Sequence, residues 1–193
     1  MAKDLEIIEA PAAEPQIWRH ELQHTDGQGG GQLSITNLTA GMKFRKGALI
    51  NFDFKTKSVN PVKNALVITG GTTSAPRVGK NHLFKVGDFV YVSGDAVTIN
   101  AITTTNADYD VFTLSAACTG ATAGAYLEQS VAAGATPTLK YTANAINGES
   151  KYDIQGGERI TPVLWIFQLI KKSALPYDAS PARLADLTGF KFE

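Results

Sequence analysis

Short runs of β-branched and aromatic residues, each closed by a Gly, Asn or Asp turn, constrain this chain more than any other feature. In "KVGDFVYVSGDAVTINAI", Lys85 to Ile102, two such runs flank Ser93-Gly94-Asp95. "DYDVFTLSAA" and "GATAGAYLEQ" follow, each after a turn-like cluster, and "ALINFDFK" precedes them with Ile50, Phe52 and Phe54 alternating against Leu49, Asn51 and Asp53. A period of two is that of a half-buried strand, and several short strands at this spacing imply antiparallel hairpins. The predicted fold is mainly β, with small antiparallel barrel or sandwich modules. "GQLSITNLTAG" is also rich in strand-compatible residues. "RITPVLWIFQLIKK", Arg159 to Lys172, reads as a strongly apolar strand, buried on both faces or lying in a subunit interface.

One helix is predicted. In "DASPARLADLTG", Ser180 suits the N-cap, Pro181 the first helical position and Gly189 the stop, so the helix is short. Residues 1–16, with Pro11 and Pro15 and little periodicity, read as an extended N-terminal arm. Residues 17–80 form an N-terminal β portion whose last stretch, 70–80, reads as a linker on account of Gly70, Gly71 and Pro76. Residues 81–130 form a small barrel-like module, and 131–193 a C-terminal β portion carrying the helix.

Equal numbers of Lys plus Arg and Asp plus Glu, 18 each, argue against a nucleic-acid binder that relies on a broad basic surface. No signal peptide or membrane span is predicted, because the start is acidic and the longest apolar run, "VLWIF", is short. The single cysteine, Cys118, excludes an intrachain disulfide and reads as a small buried hydrophobe.

Two motifs point to chemistry that their surroundings do not support. His20-Glu21-Leu22-Gln23-His24 matches H-E-x-x-H, in which His20 and His24 would ligate zinc and Glu21 would act as general base. On a helix the two imidazoles share a face; on a strand the same spacing holds them roughly 13 Å apart. Pro15 precedes the motif, and Asp26-Gly27 and Gly29 to Gly31 follow it. The third ligand of the extended motif falls on Gly30, and the remaining histidine, His82, lies at no protease-like spacing. The favoured reading is two histidines on a strand before an Asp-Gly hairpin signal, with the glycines allowing a tight crossing of packed neighbours. "LVITGGTTSAPRVGKN" resembles a phosphate loop, but Ser74 stands where the first glycine belongs and Asn81 follows Lys80. Asp88, Asp95, Asp108 and Asp110 are assigned to turns for backbone reasons. No catalytic, cofactor or metal site is assigned.

Leu83 to Ser130 resembles a β module of virion head proteins of tailed bacteriophages. The residues that carry the likeness are a Gly-Asp turn at Gly87-Asp88, a strand with Ile99 and Ile102, a Tyr-Asp corner at Tyr109-Asp110 and a closing strand ending at Leu127. With the flanking "KGALINFDFKTKSVNPVKNALV" and "KKSALPYDASPARLADLTGFKFE", the chain from Lys46 to Glu193 is similar to head-fibre or capsid-decoration proteins. That resemblance implies a non-enzymatic virion structural protein on the capsid surface, made in the host cytoplasm. Its partner would be the major capsid protein, it would be a homo-oligomer with a trimer favoured, and it would need no cofactor, nucleic acid or membrane. The alternatives are the zinc metalloprotease, a glycan- or receptor-binding phage module using Tyr91, Tyr109 or Tyr126, and a tail or neck structural protein.

Overall fold

The structure is a computed structural model that describes residues 24–26, 30–36, 38–151, 153–166 and 169–193; at 24–26, 165, 166 and 169 it describes the backbone alone. The predicted N-terminal arm, and His20 and Glu21 after it, lie outside the described residues. In chain order the elements are β1 (His24–Asp26), β2 (Gly31–Leu33), β3 (Leu49–Phe52), β4 (Ser58–Pro61), β5 (Asn64–Ile68), β6 (Arg77–Gly79), β7 (Phe89–Val92) and β8 (Asp95–Thr103). They continue with β9 (Tyr109–Leu114), β10 (Tyr126–Ser130), β11 (Ala145–Asn147), β12 (Arg159–Ile160), β13 (Pro162–Ile166), β14 (Leu169–Ile170), α1 (Pro181–Ala185) and β15 (Lys191–Phe192). The chain is mainly β, with one short α-helix among the described residues. No described helix is long and apolar enough to cross a membrane.

The first body is a sheet ordered β1-β13-β11-β3-β4-β2-β12. Its two edges meet, because only Thr161 separates β12 from β13. His24 pairs with Ile166 and Asp26 with Val163, then Gly31 with Ile160 and Gln32 with Arg159. β1 and β2 are therefore both antiparallel to the segment that holds β12 and β13, in nearly the same register. β2 also pairs in parallel with β4, and the sheet returns on itself. A flat sheet would hold β12 and β13 roughly 24 Å apart at ~4.8 Å per strand, which a two-residue step cannot span. The interior of this ring is filled by Leu33, Phe44, Ile50, Phe52, Val59 and Ile160.

The Asp26-Gly27 hairpin expectation is thereby corrected. β1 and β2 do not pair with each other; both pair with the β12–β13 segment. Gly31 shows why the backbone needs glycine on this path. A Cβ there would stand 2.5 Å from a Val59 methyl, 2.9 Å from the Phe52 ring and 3.0 Å from the Lys57 carbonyl oxygen.

The second body is a ring of six strands, β10-β5-β6-β9-β8-β7, closed by the pairing of β10 with β7. It is flattened and sandwich-like, because two strands serve both layers. In β5, Asn64 to Leu66 pair with β10 while Val67 and Ile68 pair with β6. In β8, Asp95 to Thr98 pair with β7, and the strand passes to β9 with a register shift between Ile99 and Ala101. Ser93 and Gly94 join β7 to β8 with φ of 51° and 89°, the left-handed pair that a two-residue hairpin of primed type requires. Phe112 is fully buried inside, with the Phe84 ring centroid at 5.8 Å and that of His82 at 4.9 Å. Burial of a ring this size contributes about 1.5–3 kcal/mol.

The chain enters this ring at Asn64, not at Asn81. Residues 70–80 hold β6, hydrogen-bonded on both sides, so Gly70, Gly71 and Pro76 belong to a loop within the ring and not to a linker. The apolar run after Arg159 is also divided. Val163 and Ile170 are buried, but against Leu49, Ile146, Leu184, Leu187 and Phe190 of the same chain. The C-terminal segment thus covers one face of the first body. Among its described residues, "GQLSITNLTAG" contributes strand only at Gly31–Leu33. In α1, Ser180 caps as expected, its hydroxyl oxygen accepting from the Arg183 N–H at 3.2 Å. The helix ends at Ala185 with Asp186 as C-cap, short of Gly189.

Candidate functional site

Three buried polar clusters tie elements of the chain together. Lys63 sits in the two-residue step from β4 to β5, where the chain leaves one body for the other. Its ammonium, fully buried, donates to Asp88 Oδ2 at 2.6 Å. Gln129 on β10 donates to the other Asp88 oxygen at 3.1 Å, and the Lys85 N–H donates to Oδ2 at 3.0 Å. Asp88 is held in its turn after Gly87, whose φ is +88°. Burial lowers the Lys63 pKa from 10.5 to about 8, which the opposing pull of Asp88 only partly offsets.

The second cluster lies on the second body. Asp110 on β9 accepts from Lys80 at 2.6 Å and pairs with His82 Nε2 at 3.0 Å. The Phe84 N–H donates to His82 Nδ1 at 3.2 Å, which places the imidazole proton on Nε2 and points it at Asp110. Although paired with a carboxylate, His82 has its pKa lowered, because burial outweighs the hydrogen bond and charge of Asp110 while Lys63 and Lys80 add repulsion. Between that lowered value and 6.5 the unfolded chain binds a proton that the folded chain does not. Stability is therefore expected to fall as pH drops through 6.5 and to level off below the folded pKa. Urea unfolding at stepped pH checks this, and His82→Gln is expected to flatten the slope.

The third cluster fastens α1 to β10. Glu128 accepts from Arg183 Nε at 3.1 Å and from the Ser180 hydroxyl. Arg183 also pairs with Asp186 at 2.7 Å, and Asn64 Oδ1 accepts from the Ser180 N–H at 3.2 Å.

A cavity of about 250 Å³ opens where the C-terminal segment crosses the outer face of the second body. It is lined by Asn81, Tyr126, Lys172, Ser173, Tyr177 and Asp178, with apolar residues from the same segment. Asp178 is drawn here because strand β5 changes partner at Leu66. The Leu66 N–H donates to Asp178 Oδ2 at 2.8 Å, and the Asp178 N–H donates to the Asn81 carbonyl at 2.7 Å. Burial raises the Asp178 pKa, and it pairs with no cation among the described residues.

The residues singled out in the sequence fall in different places. His24 lies in β1, in strand backbone paired with Ile166, while His20 and Glu21 lie outside the described residues. Among the described residues no three His, Cys, Asp or Glu side chains gather as a metal site. Lys80 donates to Asp110 and to the Thr104 carbonyl, and a short loop, not a helix, follows it. Cys118 is buried, as expected. Of the three tyrosines, Tyr109 lies under the Arg77 guanidinium at 4.6 Å, and Tyr126 lines the cavity. Tyr91 pairs across from Glu128 on a different stretch of strand. Asp88, Asp95 and Asp108 stand in or beside turns as expected, and Asp110 lies in β9 just past one; what the sequence did not show is that Asp88 and Asp110 are also buried ion-pair acceptors. The short spacing of Gly87-Asp88 signalled a turn; only the fold brings Lys63 and Gln129 to it.

Large apolar side chains exposed to solvent are Phe54, Val86 and Val131 among the described residues. Val86 precedes β7 and Val131 follows β10, and Phe89 pairs with Ser130, so the two valines share one end of the second body. Comparison with protein families, curated proteins and solved structures returns no match.

Proposed function

We propose that this chain is a non-enzymatic virion structural protein that binds an assembled tailed-phage capsid as a decoration or head-fibre subunit. The observation that carries the reading is where the buried charge goes. Lys63, Asp88, Asp110 and Arg183 are each paired to another element of the same chain. A buried charge used for chemistry faces a cleft and a substrate; these join one strand, turn or helix to the next and stiffen the scaffold. Two sequence features support the same reading: the resemblance over Leu83 to Ser130, which spans β7 to β10, and the zero net charge.

Binding to a lattice repeats each contact by symmetry, so a small surface suffices for tight attachment. The end of the second body that exposes Val86 and Val131 is the contact surface in this reading. Co-sedimentation with shells assembled from the accompanying major capsid protein tests it. Saturable binding is expected at a stoichiometry that matches a symmetry site, and Val86→Glu with Val131→Glu is expected to weaken it at least about tenfold, as like interface disruptions do. Light scattering is expected to give a homo-oligomer. A monomer that leaves shells unbound at every concentration contradicts the proposal.

A further inference from the structure

We propose that the cavity between β10 and the Lys172–Leu184 segment binds a single neutral pyranose ring of a glycan. Its volume, about 250 Å³, is below the ~300–1,000 Å³ of pockets that take drug-sized ligands, and suits one ring. Two tyrosines line it. The Tyr177 hydroxyl is already engaged, donating to the Lys43 carbonyl at 2.6 Å, so that side chain presents its ring more than its oxygen. Tyrosine rings offer the flat apolar surface on which the C–H face of a pyranose stacks.

The polar groups complete the set. Asp178 spends one carboxylate oxygen on the Leu66 N–H, and Oδ1 has no hydrogen-bond partner among the described residues. A carboxylate half withdrawn from water calls for donors, and a sugar hydroxyl supplies one without bringing a charge. Asn81, Ser173 and Lys172 add residues with an amide, a hydroxyl and an ammonium to the same lining. One acid and one base leave the lining with no net charge. A cationic ligand drawn to Asp178 would meet Lys172, and an anionic one drawn to Lys172 would meet Asp178. A neutral polyhydroxyl ring uses both at once.

This inference goes beyond capsid attachment and is read independently of it, since shells and sugars are assayed separately. The experiment is a two-dimensional amide NMR titration of the full chain with methyl glycosides of neutral hexoses. Saturable shifts are expected at Asn81, Tyr126, Ser173 and Asp178, with millimolar dissociation constants. Tyr126→Ala is expected to weaken binding at least about tenfold, the loss of one well-placed aromatic contact. Ser173→Trp fills the cavity from an exposed position and is expected to abolish binding with the unfolding midpoint unchanged; it keeps the test decisive if Tyr126→Ala does not fold. The proposal is overturned if none of the glycosides produces saturable shifts, or if Ser173→Trp leaves binding intact. It is also overturned if butylammonium or an arginine amide binds the cavity and the glycosides do not, which would make it a receptor for a basic side chain.

Discussion

Lys63→Met is expected to destabilise the fold by about 3–5 kcal/mol, the cost of leaving a buried charge without its partner. The substitution keeps the side-chain volume and removes the ammonium 2.6 Å from Asp88, a carboxylate that is itself only 6 % exposed. The Gln129 amide and Lys85 N–H that remain are neutral donors and do not replace a cation. Removing both charges, in Lys63→Met with Asp88→Asn, is expected to recover most of the loss, because an isolated pair in a dry interior contributes little net stability over neutral groups. Equilibrium urea unfolding of the three variants closes the cycle. A second readout follows from titration. Between about 8, where the folded Lys63 titrates, and 10.5, the unfolded chain holds a proton that the folded chain has released. The stability contributed by Lys63 is therefore expected to rise with pH across that window, and Lys63→Met removes the rise.

Gly31→Ala is expected to cost about 1–3 kcal/mol, towards the upper end, through overpacking of the first body. The added methyl would lie 2.5 Å from Val59 and 2.9 Å from the Phe52 ring, both buried and both on strands of the same ring. Neither neighbour is the free end of a flexible side chain. β2 would have to move out from between β4 and β12, weakening the parallel pairing of Leu33 with Val59 and the antiparallel pairing of Gly31 with Ile160. Thermal unfolding measures the loss. At Gly157, where nothing lies within 4 Å of an added Cβ, the same substitution strains only the left-handed backbone at φ +80° and is expected to cost less.

Local features of this fold were legible in the sequence, and long-range ones were not. Ser93-Gly94 between two β-branched runs specified the β7–β8 hairpin, since few residue pairs take two left-handed conformations in succession. Ser180-Pro181 marked the start of α1, and the alternation of Ile50 and Phe52 marked β3. Phe54 broke that alternation: it lies past the end of β3, exposed, with its ring 4.9 Å from that of Phe52. The closure of the first body could not be read, because it depends on residues 24–33 meeting residues 159–166, and period-two patterning is silent about partners. The partners of the buried acids could not be read for the same reason. Asp88 and Asp110 look like any turn aspartates, and their cations come from positions 25 and 30 residues away. At Gly31 the glycine makes a close approach, while β1 and β2 do not pair as the hairpin signal implied; close backbone approach and chain reversal call for the same residue. Of the cavity's lining, only Tyr126 was named as a binding residue; Asp178 carried no signal, since its role begins where β5 changes partner at Leu66.

Capsid attachment is tested most directly by imaging, by electron cryo-microscopy, shells assembled from the accompanying major capsid protein with and without this chain. Capsid attachment predicts added density at one class of symmetry site, fitted by the two β bodies with the Val86–Val131 end facing the shell. Shells that look the same with and without saturating protein would contradict it.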